Sequence, residues 1–395
     1  MATIAENLQT IQNIKQNIKT AIENKGVDMS NTTFSDYSTK IDEITTGGSL
    51  DFSPIGYDAQ LSRSIIDGYD ADIAYSKQLL DDWEGGTIYI DSLFSNDKEL
   101  VYAPLIDTSN VTNMSNMFNG CINLQTVPQF NTSNVTKMTQ MFVNCSSLET
   151  IPLLDTSNVT AMDYMFSSCS SLKTIPQLNT TNVTKMNNMF SYCYSLKSIP
   201  LLDTSNVTAM ERMFMNCESL NEIPLLDTSN VTNMTFMFNY CRSLNEIPLL
   251  NTSNVTNMSN MFANCQILKT IPQLNTSKVT NMNNMFSYST ALTSIPLLEC
   301  GNVTNMKDIF GGFYTYSNLT DLGGFKDLKV SVTSDFLDKC PNLTVDSLMN
   351  VINNLYDLTA NGLSGQSLKF SQTNLVKLSE EQIAVATAKG WTLIA

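Results

Sequence analysis

The sequence predicts an α/β solenoid of stacked coils, on three observations. Nine prolines (Pro104, Pro128, Pro152, Pro176, Pro200, Pro224, Pro248, Pro272 and Pro296) stand 24 residues apart. The residues around them repeat with the same period: the chain reads DTSNVTNMSNMFNGCINLQTVPQF from Asp107 and DTSNVTAMDYMFSSCSSLKTIPQL from Asp155. Asp107, Asn131, Asp155, Asn179, Asp203, Asp227, Asn251 and Asn275 each open a unit, with no insertion between them. A fixed period of this size marks an architecture made by stacking one supersecondary unit on the next. Its core grows along one axis, so the usual domain-size limits do not apply.

Within a coil, Val135, Met138 and Phe142 are spaced by 3 and 4 residues, which predicts one inward face of a short helix. Ser133 or Asn134 stands where its cap would be. Seventeen of the 21 methionines fall in two columns of the repeat. Their fixed register beside Val and Phe makes them core filler rather than a binding groove. Leu148, Ile151 and Leu154 predict the facing wall, a short parallel strand. Each proline lacks an N–H, so the strand is expected to run about three residues and end at or just before it. The Asp/Asn-Thr-Ser column then turns the chain, with stacked hydroxyls and amides to satisfy its backbone.

Seven cysteines, Cys121 to Cys265, recur at one repeat position, and Ser289 replaces the next. Equivalent side chains on stacked coils are roughly 5 Å apart. Their Cβ vectors run parallel, however, which is poor bridging geometry, so buried thiols acting as small hydrophobes are expected.

The array is bounded by segments of different character. Ile4, Leu8, Ile11, Ile14, Ile18 and Ile22 form a helical stripe that includes strict heptad partners. Three heptads make a marginal helix alone, so the stripe needs a docking partner. Packing on the next domain, self-association and docking to another protein all meet that need, and isoleucine at heptad positions leans towards a trimer. A second short helix is expected from Phe34 to Ile44, before a Gly47-Gly48 hinge. The predicted domains are a helical anchor over 1–48, an N-terminal cap over 49–93 with a helix near Asp70 to Trp83, the solenoid over 94–325 and a C-terminal α/β cap over 326–395. Phe94, Asp97, Leu100 and Pro104 sit 24 residues before Phe118, Cys121, Leu124 and Pro128, a degenerate first coil. In the last segment Leu348, Ile352 and Leu355 predict one helix. SEEQIAVATAKG predicts another, with a Ser379–Gln382 capping box and Gly390 as its stop. WTLIA reads as a terminal strand.

Composition removes several functions. The chain has no histidine, so Ser-His-Asp, Cys-His and histidine–metal chemistry are excluded. The many carboxylates lie in repeating turns, where they are turn-formers rather than acid/base pairs. No enzyme activity and no cofactor are expected. The formal net charge of −15 argues against a nucleic-acid surface. The opening MATIAENLQTIQNIKQ has no apolar h-region, and no run of 18 apolar residues exists for membrane insertion. The expectation is a chain made in a cytoplasm and not exported by a standard route.

The unit C-x-x-L-x-x-[IV]-P-[LQ]-[LF]-[DN]-T-S-N-V-T-x-M-x-x-M-F resembles BspA-type leucine-rich repeats, particularly those with the DTSNVTxMxxMFxxCxxL signature. The resemblance covers residues 94 to about 345 and departs in the proline after the isoleucine and in the 24-residue unit. It implies a leucine-rich-repeat-like solenoid of the kind found in bacterial surface adhesins and in phage proteins. MATIAENLQTIQNIKQNIKTAIENKGVDMSNTTFSDYSTKIDEI is similar to the N-terminal module of virion proteins of tailed gut phages, including crAss-like phages, where it precedes varied C-terminal modules. The C-terminal segment is similar to the ends of repeat proteins in that setting. The resemblance implies a phage virion protein, a head or tail fibre or a decoration, whose N-terminal helices meet other virion proteins. A bacterial cell-surface adhesin is the alternative.

If the solenoid binds a partner, the site should break the repeat. Tyr192, Tyr240 and Tyr288 share one unit position in alternate coils, where other coils carry Gly120, Asn144, Ser168, Asn216 and Asn264. Tyr164 and Phe236 interrupt another column. Exposed aromatics in a row suit a host-surface glycan or a protein. The alternative is that each tyrosine only covers the edge of a neighbouring coil.

Overall fold

The computed structural model describes residues 90–103, 105–312 and 317–395. The Ile4–Ile22 stripe and the helices expected at 34–44 and 70–83 lie outside the described residues.

Each coil begins with a corner stitched by side chains. The Asp107 carboxylate accepts the Ser109 N–H at 2.9 Å, an Asx turn that recurs at Asn131, Asp155 and Asp203. The next threonine is buried, and its hydroxyl donates to a carbonyl of the following coil: Thr156 to Asn179 at 2.7 Å and Thr180 to Asp203 at 2.7 Å. The asparagine beyond it reaches the other way, Asn158 Nδ2 to the Ser133 carbonyl at 2.7 Å. Ser133 and Asn134 therefore tie neighbouring coils and do not cap a helix.

The helix expected from Val135, Met138 and Phe142 does not form. All three are buried, but the backbone makes overlapping four-residue turns: Met141 N to Met138 O at 3.3 Å, Val143 N to Gln140 O at 3.3 Å and Cys145 N to Phe142 O at 3.1 Å. The intervening N–H groups donate out of the coil, Gln140 to Asp163, Phe142 to Met165 and Asn144 to Ser167, at 3.0, 2.9 and 2.8 Å. A helix would turn every one of these donors back along its own chain. Here alternate donors close the turn and bind the next coil. Gln140 and Asn144, four residues apart, take φ of 61° and 59°, the left-handed values at which the chain changes direction between successive turns.

The facing wall meets expectation in part, with short parallel strands in the last coils only. Leu148, Ile151 and Leu154 are buried, but among the described residues strands appear only from Ser294 onwards. There β1 (Ser294–Ile295) pairs in parallel with β3 (Asp321–Leu322), and β2 (Leu298–Glu299) with β4 (Phe325–Lys326). Pairing stops at Pro296 and resumes after it, so the proline interrupts the ladder rather than ending it. The gap faces Gly323, where an added Cβ would stand 2.8 Å from the Pro296 carbonyl carbon. In earlier coils the wall keeps single bonds such as Lys173 N to Glu149 O at 3.0 Å.

The two walls meet in one core. Phe118 of the turn wall lies 6.0 Å from Phe130 of the proline wall, ring centre to ring centre. Along the axis Phe94, Phe118, Phe142 and their successors stack with centroids 5.4–6.0 Å apart as far as Phe310. There the column ends in a tilted cluster, Phe325 standing 5.2 Å from Phe336 at 41°.

A small α/β unit follows. A parallel sheet of order β5-β6-β7 (Val332–Leu337, Gln366–Phe370, Trp391–Ile394) packs with α1 (Val345–Asn354), α2 (Gln372–Leu375) and α3 (Glu380–Ala388). Thr344 caps α1, and the Ser379–Gln382 capping box opens α3. The unsatisfied carbonyls at the end of α1 are met by Lys389, whose Nζ donates to Ile352, Asn353 and Leu355 at 3.3, 2.6 and 3.1 Å. Trp391 is buried, and its ring N–H donates to the Tyr356 carbonyl at 2.9 Å. Closing the open end of a stack in this way keeps its last apolar face from water.

Candidate functional site

The turn wall carries two columns per coil at left-handed backbone, open to solvent in most coils and buried at Gly120 and Asn188. Glycine enters this region freely and asparagine and aspartate readily, by local hydrogen bonding, whereas other residues bring Cβ against the following carbonyl at roughly 1–2 kcal/mol per residue. Between residues 116 and 288 each column follows that preference in four of its eight coils, with Asn116, Asn188, Asn260 and Asn284 in one and Gly120, Asn144, Asn216 and Asn264 in the other; Gln140, Ser168 and Arg212 depart from it without being aromatic. Every aromatic singled out from the sequence is an exception. Tyr164 and Phe236 have φ of 59° and 57° in the first column; Tyr192, Tyr240 and Tyr288 have 62°, 59° and 60° in the second.

The exceptions do not gather into one pocket. Tyr192, Tyr240 and Tyr288 follow one another at intervals of two coils, and the structure brings other residues to them. Tyr194 meets Tyr192 edge to face at 6.2 Å. The Arg242 guanidinium lies 5.4 Å from the Tyr240 ring centre and 3.3 Å from the Glu218 carboxylate. Arg212, itself at a φ of 55°, lies 5.1 Å from the ring of Phe236 in the next coil. Tyr164, Tyr192 and Tyr288 are 38, 36 and 37 % exposed, so each ring is covered along part of its face and open along the rest. Tyr288 leans on the following coil, close enough that a Cβ on Gly312 would touch it at 3.5 Å. Edge-covering and outward display thus coexist in the same side chain.

Sequence reasoning missed a column on the other wall. Leu201, Leu225 and Leu249, each directly after a proline, are 60, 62 and 64 % exposed, more than any of the tyrosines. Gln129, Gln177 and Gln273 hold the same position in other coils. The signal was available: Leu202, Leu226 and Leu250 point inwards, and in extended backbone the preceding residue must then point out. The glutamines have a structural task. Gln177 Nε2 donates to the Leu201 carbonyl at 2.6 Å and Gln273 Nε2 to the Leu297 carbonyl at 2.8 Å; Gln129 serves the Leu153 carbonyl likewise. These bonds span the gap that the prolines leave in the ladder. Leu201, Leu225, Asp203 and Asp227 line a shallow open groove of ≈ 600 Å³. Hydrogen bonds from the Ser205 hydroxyl and N–H hold the Asp203 carboxyl below the usual range, and the Ser229 N–H and hydroxyl do the same for Asp227.

The cysteine column carries no reactive group. All nine cysteines are unpaired and buried. The Cys145, Cys169 and Cys193 thiols donate to the carbonyls of Phe118, Phe142 and Phe166 at 3.1, 3.0 and 3.1 Å, and the Ser289 hydroxyl makes the equivalent bond to Phe262 at 2.5 Å. Burial pushes Cys121 up to about 11 and Cys265 to about 12, so these thiols stay protonated and unreactive at neutral pH. Among the described residues no group of three or more Cys, Asp or Glu is arranged to hold a metal ion, and no helix is long and apolar enough to cross a membrane.

Fold and surface together define a repeat solenoid of 24-residue coils that keeps its apolar columns inside and displays its variable positions outside. The chain belongs to the family described as Mycoplasma protein of unknown function, DUF285, which matches overlapping stretches 88–201, 173–270, 195–295, 222–321 and 264–360. Among solved structures it is similar to a leucine-rich repeat protein from Bacteroides ovatus, at 18 % identity over 76 % of this chain and 93 % of that one, with a TM-score of 0.37. It is also similar to a leucine rich cell surface protein from Faecalibacterium prausnitzii, at 20 % identity over 59 % and 81 %, with a TM-score of 0.27. No curated protein matches the chain.

Proposed function

We propose that this chain is a recognition rod, a non-enzymatic solenoid that holds aromatic and arginine side chains outward for a glycan or protein on another surface. The observation that carries the reading is the placement of Tyr164, Tyr192, Phe236, Tyr240 and Tyr288 at left-handed backbone. Stability alone favours asparagine or glycine there, as Asn188, Asn216, Asn260 and Asn264 in neighbouring coils illustrate. Aromatic residues standing against local preference mark a surface suited to contact.

Within that reading the rod belongs to a phage particle, as a head or tail fibre or a decoration, with residues 1–48 as its attachment to other virion proteins. The likeness of residues 1–44 to phage virion modules supports this setting, and the isoleucine heptads support self-association, with a trimer expected. Recognition by such a rod requires no cofactor and no chemistry on the partner.

Changing all five aromatics to asparagine tests recognition. Adsorption to host cells should fall by about tenfold or more while the melting temperature holds or rises, the trade expected of a functional surface. Undiminished adsorption rejects the reading. Deleting residues 1–46 tests the setting: a folded solenoid absent from purified particles is expected, and continued incorporation overturns the attachment role. Antibody labelling on bacterial cells but not on particles would replace the virion setting with that of a cell-surface adhesin.

A further inference from the structure

The proline wall carries a second surface, independent of the aromatic one. Phe118 and Phe130 meet across the core, so the outward side chains of the two walls face away from each other. On the proline wall, glutamine gives way to leucine in three successive coils, at Leu201, Leu225 and Leu249, between Gln177 and Gln273. The exchange has two effects. It exposes a contiguous apolar strip, each leucine being at least 60 % open. It also removes the amide donors, so among the described residues nothing donates to the Leu225 or Leu249 carbonyl, whereas the Leu201 carbonyl keeps Gln177 at 2.6 Å. Two carboxylates border the strip. Asp203 and Asp227 line the groove with Leu201 and Leu225, each engages one oxygen with the serine two residues on, and neither has an ion-pair partner among the described residues.

We propose that Leu201, Leu225 and Leu249 form a docking strip for an extended segment of another protein in which apolar and basic side chains alternate. Three leucines one coil apart span roughly 10 Å, over which extended chain places two or three side chains on one face. Apolar side chains of that face cover the leucines, and amide N–H groups of the segment reach the open carbonyls. Its lysines or arginines, on the flank, meet Asp203 and Asp227. A second copy of this chain fits poorly, because at a net charge of −15 it brings like charge to an acidic groove.

The test uses the full chain and a variant with Leu201→Gln, Leu225→Gln and Leu249→Gln, which restores the residue present in neighbouring coils. The probes are fluorescent nine-residue peptides, one alternating leucine with lysine and one alternating leucine with glutamate. Titration by anisotropy should show the lysine peptide binding the parent at least about tenfold more tightly than the variant, and more tightly than the glutamate peptide, a difference of about 1.4 kcal/mol. Adding Asp203→Asn and Asp227→Asn to the parent should weaken the lysine peptide at low salt. The glutamine variant should melt no lower than the parent, which separates docking from a stabilising role of the leucines. Equal binding by parent and variant overturns the proposal, as does equal binding of the two peptides. A parent that self-associates through the strip, with the variant monomeric, overturns the choice of occupant.

Discussion

The two walls of one coil solve the same problem differently. On the turn wall, alternate N–H groups leave the coil and bind the next, as Gln140, Phe142 and Asn144 do. On the proline wall the backbone ladder is broken at every coil, and side chains such as Gln177 and Thr180 span the gap. The turn wall can therefore vary its outward side chains without touching what joins the coils. On the proline wall an outward residue is itself a joint, and exchanging glutamine for leucine trades a bond for an apolar surface. The turn wall is a free display, and the proline wall is a display made at the expense of stitching.

Amide hydrogen exchange should sharpen this contrast most. The N–H groups of Phe166, Phe190 and Phe214 donate to the next coil at 2.9–3.0 Å, whereas those of Leu201 and Leu225 have no acceptor among the described residues. The phenylalanine amides should exchange on the order of a thousandfold or more slowly, as bonded core amides do against open ones. Similar rates would show that the proline wall is joined by bonds of another kind. Next in size, Phe214→Ala should destabilise the chain by about 3–5 kcal/mol in urea, because it removes a ring stacked on both sides, whereas Leu225→Ala should change stability by less than about 0.5 kcal/mol.

Alkaline pH acts at the corner between the walls, through the buried cysteines. Their folded pKa values lie above the ordinary 9.0, about 11 for Cys121 and about 12 for Cys265. The stability this represents is fully present below pH 9 and is lost as pH rises towards those values, because the unfolded chain releases thiol protons that the folded chain retains. The melting temperature should therefore fall from pH 9 upwards, and less steeply in a variant with Cys193, Cys217 and Cys241 changed to serine. The smallest effect belongs to a single joint. Gln177→Leu removes one donor to the Leu201 carbonyl and should cost about 0.5–1.5 kcal/mol by urea titration. A larger loss would make the proline wall the stronger of the two.

Much of this was legible in the sequence, and the failures share a cause. The columns of Val135, Met138, Phe142, Cys145 and Leu148 announce a buried interior, and all are buried. Their spacing of 3 and 4 does not distinguish a helix from consecutive tight turns, because both return the chain to the same face at that interval. The discriminating residues were those between the apolar columns. Asparagine and glycine recurring at Asn116, Asn188 and Asn260, and at Gly120 and Asn216, are poor helix formers and good left-handed residues. The short parallel strand was legible in part: Ile151 and Leu154 inward with Leu153 outward gives the facing of side chains, but not in which coils two backbones come close enough to pair. Of the candidate surface, the aromatic exceptions were visible as breaks in the repeat, but the strain beneath them was not. The leucine strip was hidden because it follows the repeat.

The unbroken register of the phenylalanine column has a last consequence. Every step from Phe142 to Phe286 is 5.6–5.9 Å with rings within 8° of parallel, so any coil can lie on any other without a new kind of contact. A whole coil can then be cut out or duplicated with little penalty, and the rod becomes adjustable in integer steps. Excising the coil between Tyr192 and Tyr240 would bring those rings onto adjacent coils and leave the core as it was. Spacing between contact residues is thus a digital quantity in this molecule, set by counting coils rather than by bending any of them.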